Sequence, residues 1–231
     1  MKHPDNFSSF YNVKLQGIDL KLSDYGYLQF KPYFKGETCL ELGPATGYMT
    51  THLLNDFEEL TAVEGSLSLL EQIPVHEKLV KVHALFEEFE PNKKFDTIVM
   101  SHVLEHIEHP VALLQRIRSW MHKDTVFILG VPNAKSFHRL AAVKMGLLKT
   151  EYELNERDTA LGHYRVYDMN GLKADAKAAG LQVKDSGGIL LKFLSNNQIE
   201  KMMNDQILDA YFRLGNDFKE NSAEIFLILQ V

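Results

Sequence analysis

The stretch that most constrains this chain is ETCLELGPATGYMT, residues 37–50, in which a short apolar run meets a glycine-punctuated turn and a helical repeat. Thr38, Cys39, Leu40 and Leu42 have the make-up of a buried strand, and Met49, Leu53 and Phe57 then recur at helical spacing. Between them Gly43 and Gly47 bracket Pro44, Ala45 and Thr46. Glycines at both ends permit a sharp reversal and let backbone N–H groups approach a ligand with no Cβ in the way. Glu41 stands near the carboxyl end of the strand, where open α/β sheets place their ligands. The loop matches neither GxxxxGK[ST] nor GxGxxG, so it is neither a phosphate-cradling P-loop nor the usual dinucleotide fingerprint.

Around this stretch the apolar pattern alternates. Segments 60–66, 79–85, 95–101, 125–132, 181–191 and 223–231 read as further strands, giving seven in all. Helical stripes lie between them: 22–34, the helix after Gly47, a short helix from Ser66 to Gln72, the helix after Pro110, one opened by Asp168, and one long helix from Ser195 through Tyr211. Strands alternating with helices imply a doubly wound, Rossmann-like α/β sheet, mostly parallel, with the last strand antiparallel. The expectation is a single domain over 1–231, with an N-terminal helical segment at 1–35 and an insertion at 133–167. The insertion is far longer than an α/β connection needs, which marks it as a lid.

Net charge is −6, so an electrostatic grip on nucleic-acid phosphates is not expected. The single cysteine, Cys39, sits in the first strand and reads as a core residue, so no disulfide framework exists. With no signal-peptide pattern and no apolar run long enough to span a bilayer, a cytoplasmic location is expected.

The second constraint is Glu64, at the end of strand 2. In this topology an acid there accepts both hydroxyls of a bound ribose with its two oxygens. With loop and acid in register, ELGPATG, then AVEGS, then FDTIVMSHVLEHIEHP, the chain resembles the class I S-adenosylmethionine-dependent methyltransferases, in the branch of ubiquinone-biosynthesis-type and other small-molecule enzymes. The resemblance covers residues 36–132 most strongly, and the insertion also looks like a subgroup linked to cell-surface sugar or lipid biosynthesis.

The resemblance implies S-adenosylmethionine as cofactor, with Glu41, Gly43, Pro44, Ala45 and Gly47 around its methionine part and Glu64 and Gly65 at its ribose. Ala84, Leu85 and Phe86 would border the adenine, and Ser101 and His102 would lie near the sulfonium. Two departures stand out: the family's central loop glycine is Ala45 here, and the acid usual after strand 3 aligns with Leu85. The implied reaction is methyl transfer to an oxygen or nitrogen of a small, anionic metabolite such as a sugar, nucleotide-sugar or lipid-linked intermediate. For a hydroxyl acceptor a base is required, and histidine titrates in the right range. His102, His106 and the insertion's His163 are the candidates, with His163, Arg165 and Arg139 as acceptor contacts.

His102, His106 and His109 are also spaced for a metal on one helical face, but the strand exit at Ser101 and Pro110 interrupt any helix there, so no metal is expected. Lys135, Arg139, Lys144 and Lys149, with no acid between Ala134 and Lys149, read as a basic amphipathic helix. Such a helix would cover an anionic acceptor, touch a membrane surface transiently, or lie as a lid with its lysines in water. Two other classes stay open: a non-catalytic cofactor-binding scaffold on the same fold, and a nicotinamide-dependent oxidoreductase, which the missing GxGxxG opposes.

Overall fold

The computed structural model describes residues 17–231; the aromatics Phe7, Phe10 and Tyr11 lie outside the described residues. Thr38–Leu42 forms β1, and its residues alternate between two apolar layers: Leu40 and Leu42 join one, Cys39 the other. A strand whose side chains are buried on both faces belongs in the middle of a sheet. Accordingly β1 pairs in parallel with β2 (Glu59–Glu64) on one side and β4 (Phe95–Ser101) on the other. β3 (Leu79–His83) extends one edge, and β5 (Met121–Pro132), β7 (Glu224–Gln230) and β6 (Gln182–Ile189) the other, giving the order β3-β2-β1-β4-β5-β7-β6. β7 runs antiparallel to both neighbours, as expected.

Helices cover both faces. α1 (Ile18–Phe30) and α2 (Tyr48–Leu53) send Tyr25, Phe30 and Leu53 into the layer that holds Cys39, Val99 and Ile128. α3 (Leu67–Leu70) follows β2 as a single turn. On the opposite face α4 (Pro110–Ser119) and α7 (Met169–Ala178) bury Leu113, Leu114, Ile117, Leu172 and Ala176 against Leu40, Ile98 and Phe127. Trp120 is buried edge-on against Phe89, a core residue as its stripe position suggests. Asp168 caps α7 by accepting the Gly171 N–H.

The insertion carries two short helices, α5 (Phe137–Lys144) and α6 (Glu156–Ala160). Its ends meet: Asn133 and Tyr167 form an isolated parallel bridge, and the Ala134 N–H donates to the Tyr167 carbonyl.

Three expectations change. The long helix after Ser195 is two, α8 (Asn196–Met202) and α9 (Asp205–Asp217), because Asn204 accepts the Ile207 N–H and starts a new helix. β5 begins four residues early, its extra turn of strand held where the Thr125 hydroxyl donates to the Phe95 carbonyl. The basic stripe of the insertion is not one solvent face: Arg139 is 7% exposed, and Lys135 pairs with Asp168 at 2.9 Å. Among the described residues no helix is long and apolar enough to cross a membrane.

Candidate active site

β1 and β4 are neighbours, yet the chain leaves them toward opposite edges of the sheet, which opens a crevice at their carboxyl ends. The glycine loop lines it. Gly43 (φ 74°), Ala45 (φ 48°) and Gly47 (φ 84°) all adopt the left-handed conformation. A Cβ on Gly43 would lie 2.4 Å from Val103 Cγ2, so both the backbone angle and the close approach of β4's exit require glycine. Ala45 takes the same backbone conformation with a methyl group present, a strain of about 1 kcal/mol or more.

Two carboxylates flank the loop. Glu64 is buried at the end of β2, and its oxygens accept the Ala45 N–H (3.2 Å) and the Ser66 N–H (2.9 Å). Strand 2 is thereby tied to the loop and the carboxylate is fixed toward the crevice. Glu41 is buried beneath the loop, where Thr50 donates a hydroxyl hydrogen bond at 2.7 Å. Burial, reinforced by the Glu64 charge and opposed by the Thr50 bond, pushes its pKa up to about 7. Among the described residues no cation contributes to that balance. Ala84 extends the β2–β3 pairing by donating to the Glu64 carbonyl, and Phe86 comes close to Gly43, so the 84–86 segment closes the same end of the crevice.

On the other side of the crevice β4 runs out into Ser101 and His102. His102 is itself left-handed (φ 56°) while its N–H donates to the Gly130 carbonyl of β5. A histidine held there is a strained position of the kind found at functional sites. Its Nε2 lies 3.0 Å from Glu224 at the start of β7, and its Nδ1 lies 3.7 Å from Glu105. Desolvation, modest for a side chain that is 44% exposed, opposes its charge, but Glu224 and Glu105 outweigh it and raise the pKa to about 9. These carboxylates favour the imidazolium form.

The 3₁₀ turn Leu104–His106 presents Glu105 inward. Glu105 is 1% exposed, and neither of its carboxylate oxygens has a hydrogen-bond partner among the described residues. The insertion descends onto this turn: Tyr164 donates its N–H to the Glu105 carbonyl, and His163 packs edge-to-face on His106 with ring centroids 4.6 Å apart. One ligating atom from each of Glu105, His106 and His163 lies within 4.8 Å of the others. His109, the third member of the sequence triple, instead precedes α4 in an exposed position.

The charged residues of the insertion behave differently from their sequence reading. Arg139 donates to the Glu151 carbonyl (3.0 Å), to the Glu153 carbonyl and to Asp158 (3.0 Å), so it braces the lid. Asp158 also receives His163 Nδ1 at 3.3 Å and belongs to a capping box with Asn155. Although burial opposes ionisation, these donors lower its pKa to about 2. Arg165 reaches the Glu108 carbonyl at 2.9 Å near the surface. Missing from the sequence reading was Lys192, buried just beyond the carboxyl end of β6. Its ammonium meets Asn196 and makes no ion pair among the described residues, and burial lowers its pKa to about 8.

The left-handed loop, the fixed strand-end acid and the buried Glu41, with no counter-cation among the described residues, fit a cofactor that brings an ammonium and a ribose. The comparisons agree. A family model described as a methyltransferase domain matches residues 20–186, and the chain belongs to that family. It is an S-adenosylmethionine-dependent methyltransferase. Structures with the same fold include an S-adenosylmethionine-dependent methyltransferase from Archaeoglobus fulgidus, 18% identical, TM-score 0.61, covering 92% of this chain and 94% of that one. Another is the plantazolicin methyltransferase BamL in complex with a triazolic desmethylPZN analog and SAH, 16% identical, TM-score 0.61, covering 98% and 90%. A third, a putative methyltransferase in complex with the Haloferax volcanii Trm112 methyltransferase activator, is 13% identical with a TM-score of 0.66, covering 100% and 97%. No curated protein matches the chain. Family membership removes the oxidoreductase alternative.

Proposed function

We propose that this methyltransferase modifies an oxygen or nitrogen of a small, anionic acceptor, and that the acceptor enters between the β4 exit and the lid. The observation that carries this is Lys192, a buried ammonium on the same sheet edge as Glu224 and His102. Its one hydrogen-bond partner among the described residues is the neutral Asn196 side chain. The Asp19 and Glu224 charges stabilise it from a distance without outweighing burial, and an anionic group on the acceptor would complete that environment.

S-adenosylmethionine supplies a methyl group already activated by the sulfonium charge. The protein's part is to position, exclude water and manage a proton. Glu64 and Glu41 hold the ribose and the ammonium; the strained His102 fixes the floor near the reacting carbon. Holding an acceptor at near-attack distance is worth up to ~7–11 kcal/mol, and a positioned base adds ~10²–10⁴-fold. The proton leaves at the corner formed by Glu105, His106 and His163, where Asp158 orients the His163 ring by accepting from Nδ1. The lid, braced by Arg139, covers that corner.

The test is transfer of a labelled methyl group to a panel of small hydroxyl and amine acceptors, each in anionic and neutral form. Anionic members should be preferred, and Lys192→Met should raise their KM while leaving cofactor affinity unchanged. Equal use of neutral members by the wild-type enzyme, or a Lys192→Met enzyme with an unaltered preference, would remove the anionic acceptor.

A further inference from the structure

We propose that Glu105, His106 and His163 bind a divalent cation of the zinc class at the seam between the β4 exit and the lid. This rests on the reading above that the acceptor's proton leaves at the same corner. Two independent observations support it. One is the convergence: three residues of ligating type, two from the 3₁₀ turn and one from the insertion, bring single donor atoms within 4.8 Å of one another. The other is the state of Glu105. A carboxyl group that is 1% exposed, with neither oxygen hydrogen-bonded among the described residues, carries a desolvation cost that the nearby His102 and His163 offset only in part, and a bound cation would answer it. His102 supplies that answer only in part, because it is drawn to Glu224 at 3.0 Å and stays 3.7 Å from Glu105, an ion pair beyond hydrogen-bond length.

The surroundings match what a bound metal asks of its ligands. Metal-binding histidines commonly donate their second ring nitrogen to a carboxylate, which fixes the tautomer and makes the ligating nitrogen more basic. His163 does this: Nδ1 faces Asp158 at 3.3 Å, so the lone pair sits on Nε2. Asp158 is in turn held by Arg139 and the Asn155 capping box, so the ring's orientation is set before any ion arrives. Two imidazoles and one carboxylate form a three-ligand set with open positions, a pattern typical of zinc and its transition-metal neighbours and poorly suited to magnesium or calcium, which want oxygen. In a loaded tetrahedral site neighbouring donors stand about 3.4 Å apart, so each side chain would close inward by less than about 1 Å. With their lone pairs on the ion the two histidines would not take the acceptor's proton; the ion would lower the pKa of a hydroxyl bound at an open position, and the proton would pass to water.

The experiment uses the full chain without an affinity tag, stripped with a chelator, dialysed and titrated with Co²⁺ while visible d–d absorption is recorded. Expected is one saturable equivalent that Zn²⁺ displaces and Mg²⁺ does not. Glu105→Gln and His106→Gln should each weaken binding by ~100-fold or more, because loss of a ligand exceeds the ~10–100-fold effect of losing an outer-shell partner. His106 is only partly buried, so its variant serves if Glu105→Gln fails to fold. Absence of saturable Co²⁺ binding, or binding untouched by both substitutions, overturns the proposal. Labelled methyl transfer measured with and without chelator separates the two readings. Turnover that resists the chelator yet falls in His163→Gln keeps the proton corner and removes the metal.

Discussion

The two sides of the crevice are built on different principles. The side from Gly43 to Phe86, which we propose takes the cofactor, is made of backbone: left-handed turns, N–H groups aimed at Glu64, and strand ends held by the parallel ladder. The side from His102 through the lid to Lys192 and Glu224, where we propose the acceptor enters, is made of charged side chains that hold one another. Backbone geometry leaves little freedom to vary, whereas a network of ion pairs can be rewritten one residue at a time. The cofactor is common to the family and the acceptor is not, and the materials of each side suit that division.

The contrast can be broken most severely on the cofactor side. Gly43→Val places a branched side chain at φ 74° and against Val103, so S-adenosylmethionine binding should fall below detection in calorimetry, with a lowered melting temperature. In the lid, Arg139→Met removes one of the donors to buried Asp158, which keeps His163 and the Asn155 N–H, a loss of about 1–3 kcal/mol. The loss should appear as local opening of residues 151–165 in hydrogen exchange and as a raised acceptor KM, with cofactor affinity nearly unchanged. If cofactor affinity falls equally, the two sides are not independent.

Two smaller effects sharpen the comparison. With a pKa near 7, Glu41 is neutral below that pH and ionised above it, and an ammonium is held only by the ionised form. Cofactor affinity should therefore drop as pH falls below 7, by up to ~10-fold per unit, and Glu41→Gln should flatten the slope. The same group acts oppositely on folding: its pKa lies above the unfolded value, so its contribution to stability declines as pH rises through that window. Smallest is Ala45→Gly, which relieves the left-handed alanine and should alter stability by ~1 kcal/mol or less, since glycine also gives back unfolded-state entropy. A thermal melt beside a cofactor titration would show which term prevails.

The sequence made the backbone-built side legible and the charge-built side largely opaque, for a physical reason. Seven strands could be placed because β-strand burial writes itself into consecutive residues, as in Phe95–Ser101, and the loop announces itself through Gly43 and Gly47. The break between α8 and α9 was hidden because the apolar stripe from Ile199 to Tyr211 continues across it, and Asn204 is only one polar residue among several. Arg139 looked like a surface cation because nothing local reveals that the Glu151 and Glu153 carbonyls and Asp158 fold back over it. Glu105 gave no signal at all: Tyr164 and His163 of the lid meet its turn, an approach no periodicity encodes. Lys192 is the same case, a charged residue whose seclusion depends on distant segments.

The bridge between Asn133 and Tyr167 has a consequence for how such a chain can change. The excursion of residues 134–166 leaves and rejoins the sheet at touching points, and beyond that neck it rests on the framework through the Glu105–His106 turn, Asp168 and Lys192. Lengthening a loop closed in this way adds only ~0.6 kcal/mol per doubling. A segment closed at so short a neck can change in length at small cost to the sheet, provided that what replaces it still meets the Glu105–His106 turn.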